Sequence, residues 1–233
     1  MEKIKTRTAV VTGGASGIGQ ECVRQLQADG WTVYIWDLGE NQGRDTVDVS
    51  DYANVLRAAS TLENIDLLIN AAGIAGSRTA VAEKDPGEWA RVLDVNLNGT
   101  FYCAHALYTH LKSNHGVIVN IASVASMIMM KGRAHYAVSK AGVATLTRSL
   151  ANEWAEDGIR VIAVAPGYVK TPLVQSSIDA GELNEDVLAS MHPMNRLAST
   201  QEIAAAIIAL SKPPFQFMTG SVVTIDGGMT LGK

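Results

Sequence analysis

Short, continuous apolar runs alternate with helix-patterned stretches along the whole chain, and that alternation leaves few folds open. The strand candidates are Thr8–Thr12, Thr32–Trp36, a weak run at Asp45–Val49, Asp66–Asn70, Val117–Ile121, Arg160–Val164 and Ser221–Ile225. Helical patterns cover Ile18–Asp29, Pro86–Ser113 with a candidate break near Asp94, Ala134–Asp157 and Thr200–Leu210. The strand runs do not alternate apolar with polar residues. Runs of that kind belong to strands covered on both faces, so the expected fold is α/β with a doubly wound parallel sheet. The chain has 233 residues, no internal repeat and no Pro/Ser-rich linker, and residues 1–233 read as a single domain.

Two stretches break the pattern. Leu38–Arg44 is polar where a second crossover helix is expected. Only ten residues separate Asp37 from Asp48, and a parallel crossover normally needs about a dozen or more, so a bare loop is expected there. Tyr168–Arg196 carries Pro172, Gly181, Pro193 and an acidic patch from Asp179 to Asp186. Its pattern leaves helical content open. Because it lies beyond the carboxyl end of a parallel strand, residues 168–196 are expected to form a lid over a ligand.

Composition excludes several classes. Hydrophobic residues make up 47% and charged residues 18%, which excludes disorder. Nineteen basic against 23 acidic residues, net −4, argue against a nucleic-acid or anionic-membrane surface. The longest apolar stretches, such as Ile203–Leu210, fall well short of the ~18 residues of a membrane span. The first eight residues lack the apolar segment of a secretory leader. The two cysteines, Cys22 and Cys103, are too few for a disulfide framework or a four-cysteine zinc site. Both read as reduced core thiols of a cytoplasmic protein. His105, His110, His115, His135 and His192 show no ligand spacing, so no metal site is expected.

The first chemistry-bearing motif is Thr12-Gly-Gly-Ala-Ser-Gly-Ile-Gly19, directly after the first strand and opening the first helix. Glycines at 13, 17 and 19 permit a tight turn and close backbone approach to a pyrophosphate. The helix N-terminus adds unpaired N–H groups and a positive dipole end. Asp37 ends the second strand, 18 residues past Gly19. An acid there accepts hydrogen bonds from ribose hydroxyls and repels a 2′-phosphate. The next residue is Leu38, and Ser16 in the loop is uncharged, so nothing basic is placed to receive that phosphate. The pattern points to NAD rather than NADP.

The second constellation is Ser123, Tyr136 and Lys140. Tyr136 and Lys140 are four apart in a helical pattern and share a face. A cation beside a phenol favours the phenolate and lowers its pKa from ~10. Bringing it near 7 takes roughly 4 kcal/mol and makes a general acid/base suited to neutral pH.

Taken with these motifs, Asp48-Val49, Asn70-Ala71-Ala72-Gly73, Asn96, Pro166-Gly167 with Thr171, and the terminal Ile225-Asp-Gly-Gly228 make the chain resemble the short-chain dehydrogenase/reductase family, a compact Rossmann-like type, over about residues 6–230. The resemblance implies roles. Ser123 would hold the substrate oxygen, Tyr136 would move its proton, Lys140 would bind the nicotinamide ribose and tune Tyr136, and Asn96 would anchor a proton relay. Gly13, Ser16, Gly17, Ile18 and Gly19 would cradle the phosphates. Asp48 and Val49 would contact adenine, and Asn70, Ala71, Ala72 and Gly73 would line the cofactor, although Asn70 could instead brace the fourth strand. Pro166, Gly167, Val169 and Thr171 would complete the cofactor site, the last two at the carboxamide.

The implied activity is an NAD-dependent interconversion of a secondary alcohol and a ketone. A 3-oxoacyl-carrier-protein-type reductase and a non-enzymatic dinucleotide-sensing protein are the alternatives. The expected substrate is small to medium and largely uncharged. Its pocket would be walled by Ala75, Val124, Met127, Met129, Tyr168, Val169, Leu173 and Val174, with Met127 and Tyr168 among the substrate contacts. Arg133, Lys131 and Lys170 are the nearby cations, and a substrate carboxylate is the ligand one of them could reach. The family also implies a homotetramer built on the two long helices around Pro86–Ser113 and Ala134–Asp157.

Overall fold

The structure, a computed structural model, describes residues 7–39 and 45–232. Seven parallel strands form one sheet: β1 (Thr8–Thr12), β2 (Thr32–Asp37), β3 (Asp45–Thr46), β4 (Leu67–Asn70), β5 (Val117–Ile121), β6 (Arg160–Pro166) and β7 (Val222–Ile225). Their spatial order is β3-β2-β1-β4-β5-β6-β7. The chain order reverses between β1 and β4, and a crevice opens there at the carboxyl ends of the strands, where sheets of this class take ligands.

Both faces are covered, which explains the unbroken apolar strands. Val11 of β1 packs with Cys22, Leu26, Ile203 and Ile207 from α1 (Gly17–Ala28) and a late helix over Thr200–Ser211. Its neighbour Val10 points the other way, into a core with Leu68, Ile118, Cys103, Leu107 and Val161. Adjacent residues on a strand face opposite sides, so a sheet covered twice cannot alternate polar and apolar. Each fully buried Leu or Ile is worth about 1.5–3 kcal/mol, and the two cores together hold the sheet.

The weak third run is shorter than expected, with β-pairing only at Asp45–Thr46. Residues 40–44, in the expected bare loop, lie outside the described residues. The sequence reading passed over α2 (Tyr52–Ala59), whose first turn is capped by Asp51 accepting from the Ala53 and Asn54 N–H groups. At eight residues, burying only Val55 and Ala59, it is shorter than the span over which helical spacing can be told from a loop.

The long Pro86–Ser113 pattern divides into α3 (Pro86–Leu93), a π-helical turn over Asp94–Asn98, α4 (Gly99–Ala106) and α5 (Tyr108–Asn114). The break near Asp94 is thus a widened turn, a feature that tends to mark functional sites. Next, α6 spans Ala134–Trp154, ending three residues short of Asp157, with Gly158 at φ +77° beyond it.

The lid stretch holds two short helices, α7 (Pro172–Asp179) and α8 (Glu185–Ser190). Thr171 and Asn184 cap them, accepting from the Val174 and Val187 N–H groups. The final helix, α9 (Thr200–Ser211), opens with a reciprocal capping box between Ser199 and Glu202. No helix among the described residues is long and apolar enough to cross a membrane.

Candidate active site

The loop between β1 and α1 forms one end of the site. Gly13 and Gly17 hold φ of +64° and +55°, which side chains resist. A Cβ on Gly13 would lie 2.7 Å from the Ala72 backbone, so the loop packs directly on the strand end that follows β4. Thr12 locks this contact, its hydroxyl accepting from the Ala71 and Ala72 N–H groups at 3.1 Å. Ser16 stands at the cap position of α1 with extended backbone, and its hydroxyl makes no capping bond. The first-turn N–H groups of α1 are therefore not spent on a cap, as an anion site at a helix N-terminus requires.

A cavity of about 390 Å³ runs from this loop to Tyr136. At the loop end the Asp37 carboxylate accepts from Leu38 N and from Ala15 N, each at 2.8 Å. That second bond ties the strand-end acid to the phosphate loop. The cavity wall includes Gly13, Ser16, Gly17, Ile18, Gly19, Asp37, Asp48, Val49, Ala71, Ala72 and Gly73. It also includes Ser123, Tyr136, Lys140, Pro166, Gly167, Tyr168, Val169 and Thr171. Asp48 lines the wall while its carboxylate accepts from Ser50 N and Oγ, fixing the turn after β3.

The residues at the other end come from separate elements. Ser123 follows β5, is buried, and caps a 3₁₀ turn over Val124–Ser126 by accepting from Ala125 N at 3.1 Å. Tyr136 and Lys140 lie on α6, and the Lys140 Nζ sits 5.9 Å from the centre of the Tyr136 ring. It donates to Ile121 O at 2.7 Å, so the ammonium is pinned to the end of β5. Burial pushes Lys140 down to about 8.

The Tyr136 phenol departs from expectation. Burial raises its pKa, and this outweighs a hydrogen bond with Ser123 and the charge of Arg133, both of which lower it. In the chain by itself, then, desolvation wins over the neighbouring cations. The cation that acts on the phenol is Arg133 rather than Lys140.

Asn96 sits behind the wall in the π turn. Its Oδ1 accepts from Ile74 N at 2.8 Å, and its Nδ2 donates to Ile74 O and Ser139 Oγ at 2.9 and 3.0 Å. A Cβ on Gly73 would lie 3.2 Å from Asn96 Oδ1 and 3.5 Å from Lys140 Nζ, so these two groups converge beside Gly73. The widened turn is what swings Asn96 inward from the α3–α4 axis.

Three of the residues expected at the site lie elsewhere. Asn70 is buried under the cavity floor, donating to Asn120 Oδ1 at 2.9 Å, while Asn120 donates to Thr147 Oγ1 at 2.9 Å. It ties β4 to β5 and α6, which is the bracing alternative. Met127 is 46% exposed, its Sδ lying 3.9 Å from the Thr224 hydroxyl, and Met129 is 77% exposed. The 3₁₀ turn carries this stretch outward, and Met130 takes the place in the cavity wall.

A family model described as enoyl-(acyl carrier protein) reductase matches residues 13–230. A cis-4-hydroxycyclohexanecarboxylate dehydrogenase from Sinomonas cyclohexanicum is 39% identical, covering 98% of each chain. The chain belongs to the short-chain dehydrogenase/reductase family. A second relative of this short-chain dehydrogenase/reductase is a 2-dehydro-3-deoxy-L-rhamnonate dehydrogenase (NAD(+)) from Sphingomonas sp., 35% identical over 96% of this chain and 95% of its own. A solved structure, ElxO with NADP bound, superposes with a TM-score of 0.89 at 30% identity, covering 97% of this chain and 99% of that one.

This short-chain dehydrogenase/reductase also brings to its cavity residues that sequence reasoning missed: Arg78, Arg91 and Val95. No local pattern marks them, since each lies in a segment whose path is set by distant packing. His192 was set aside as scattered, yet it supports the lid. It is buried, donates from Nδ1 to Leu188 O at 2.8 Å, and accepts from Tyr168 N at 3.2 Å. Among the described residues no group of three or more His, Cys, Asp or Glu could hold a metal ion.

Proposed function

We propose that this oxidoreductase interconverts a secondary alcohol and a ketone with NAD(H), using Tyr136 as general acid/base. The observation that carries the reading is convergence. Ser123, Tyr136 and Lys140, from two separate elements, meet at one end of a cavity whose other end is Asp37 and the glycine loop. The two relatives described above are named as dehydrogenases.

The residues present fit a dinucleotide. Positive φ at Gly13 and Gly17 opens the floor, and a side chain on Gly13 would overlap the Ala72 backbone. Gly13, Ser16, Gly17, Ile18 and Gly19 would hold the pyrophosphate; Asp37 would hold the adenosine ribose; Asp48, Val49, Ala71, Ala72 and Gly73 would flank the adenine half. Pro166, Gly167, Val169 and Thr171 would hold the carboxamide half. When bound, the nicotinamide ring supplies the hydride acceptor for oxidation and the hydride donor for reduction.

The chain supplies orientation and the proton. Ser123 Oγ holds the substrate oxygen. Tyr136 Oη takes the hydroxyl proton during oxidation and returns it to the carbonyl oxygen during reduction. Lys140 would hold the nicotinamide ribose from its place beside the Tyr136 ring, while the charge that favours the phenolate is that of Arg133. Asn96, converging with Lys140 beside Gly73, would anchor the water relay that takes the proton onward. Asn70 serves by fixing the strand end that bears Ala71–Gly73. Tyr168, positioned by His192, closes the substrate side from the lid.

A screen of secondary alcohols and ketones with NAD(H) and NADP(H), followed by the absorbance of the reduced nicotinamide, tests this reading. Hydride transfer confined to NADP(H), or absent throughout, would refute it. Further, we read the enzyme as a cytoplasmic homotetramer. Support comes from the buried free thiols of Cys22 and Cys103 and from an outer aromatic group of Tyr52, Phe101, Tyr102 and His105.

A further inference from the structure

Two arginines of the cavity wall, Arg78 and Arg133, hold no group that takes part in hydride transfer, although the charge of Arg133 acts on the Tyr136 phenol. Arg133 immediately precedes α6 and is only 7% exposed. Its Nη1 donates to Ala75 O at 2.9 Å and Gly76 O at 2.7 Å, which spends one nitrogen of the guanidinium and leaves the planar fork otherwise unused. Arg78 follows β4 by eight residues. Its Nη2 makes a long contact of 3.4 Å to the Tyr168 hydroxyl, and its Nε is buried without a hydrogen-bond partner. Both side chains line the cavity with Ser123, Tyr136 and Tyr168. The backbones at Gly132 and Arg78 also pack closely, since a Cβ on Gly132 would lie 3.1 Å from Arg78 C.

Like charges are therefore gathered in one wall, Arg133 buried and Arg78 half-buried with its Nε enclosed. Burial first, and then the charge of Arg78, push the Arg133 guanidinium pKa down. Among the described residues neither arginine makes an ion pair. The lid carboxylate of Glu182 acts on Arg133 without contact. Buried cations are costly without a partner, and a guanidinium fork matches a carboxylate in shape. Of the other cations nearby, Lys170 pairs with Glu185 at 2.5 Å, and Lys131 and the third wall arginine, Arg91, are exposed to water.

Building on the oxidoreductase reading, we propose that the substrate is a hydroxy or keto acid whose single carboxylate is received by Arg78 and Arg133, while Ser123 and Tyr136 hold the reacting oxygen. One carboxylate balances the pair. Asp179, Glu182, Glu185 and Asp186 on the lid disfavour a more highly charged ligand. This revises the expectation of an uncharged substrate, and Arg133, one of the three cations considered from the sequence, is the one placed to make the contact.

The test separates anion recognition from turnover. Titration calorimetry with benzoate and its neutral isostere benzamide, with and without NADH, should show benzoate binding at least roughly tenfold more tightly, the range for a charge-assisted pair. That preference should vanish in Arg78→Leu and partly return in Arg78→Lys, with circular dichroism confirming the fold. Arg78 is the informative position because Arg133 also holds two backbone carbonyls. Equal binding of the two ligands, binding of neither at millimolar concentration, or a preference that survives Arg78→Leu would overturn the proposal. Turnover is then read with 3-hydroxybutyrate against 2-butanol. Benzoate preference without hydride transfer to any alcohol would keep the anion site and sink the oxidoreductase reading. Turnover of both alcohols with equal kcat/KM and no benzoate preference would do the reverse.

Discussion

Desolvation dominates the charges of the reacting residues, and it acts in opposite senses on the two members of the Tyr136–Lys140 pair. It raises the phenol and lowers the ammonium, each toward its neutral form. Displacing Lys140 from 10.5 to about 8 corresponds to about 3 kcal/mol. Between pH 8 and 10.5 the unfolded chain binds more protons at this site than the folded one, so stability from this group rises with pH across that window. Lys140→Met removes the slope. The difference in Tm between wild type and Lys140→Met should shift in favour of wild type as pH rises from 8 to 10, measured by calorimetry; a constant difference would contradict the burial argument. Tyr136→Phe should lower kcat by roughly 10²–10⁴, as for loss of a general acid/base, with NADH binding by fluorescence retained. Asp37 should favour NAD(H) over NADP(H) by about 2–4 kcal/mol, the scale of a like-charge contact. Asp37→Ala combined with Leu38→Arg should move the kcat/KM ratio toward NADP(H), and an unmoved ratio would place cofactor choice elsewhere.

At the scale of elements, the π turn between α3 and α4 is where backbone irregularity meets the chemistry. It buries Asn96 completely and gives it three hydrogen bonds to Ile74 and Ser139. Asn96→Ala leaves those partners unsatisfied at about 1–3 kcal/mol each. Even at the low end of that range the Tm should fall by roughly 6–12 °C, and turnover should fall with it because the loop beside Lys140 loosens. A variant with native Tm would show that the turn holds itself without Asn96. The lid shows the complementary case. Its helices α7 and α8 were open on pattern alone, because each is short and set among Pro172, Gly181 and Pro193. The caps at Thr171 and Asn184 explain why helices form there.

At the scale of the whole molecule, the sheet brings residues far apart in sequence to the carboxyl ends of its strands, and the outer helices leave apolar side chains exposed. Phe101 is 40% and Val138 46% exposed, on α4 and α6. Burying such residues between copies is the ordinary source of a closed, symmetric assembly. On the homotetramer proposed above, light scattering at micromolar concentration should give a mass near four chains of 24.7 kDa; a monomeric mass would contradict it.

Local rules were enough for the parallel sheet, the glycine loop and the pairing of Tyr136 with Lys140. A buried strand writes an unbroken apolar run, a loop glycine is demanded by its own dihedral, and residues four apart on a helix share a face. They also reached Asp37, because a strand end lies at a countable distance from the loop. What they could not reach was anything set by contact between distant segments. Asn70 turned into the sheet rather than the cavity because Asn120 and Thr147 lie across from it. Met130 rather than Met127 lines the wall because one 3₁₀ turn redirects the chain. Arg78 meets Arg133 only because the segment after β4 folds back onto the start of α6. The protonation of Tyr136 belongs here as well: solvation depends on everything that surrounds a group, and only the assembled tertiary structure decides what that is.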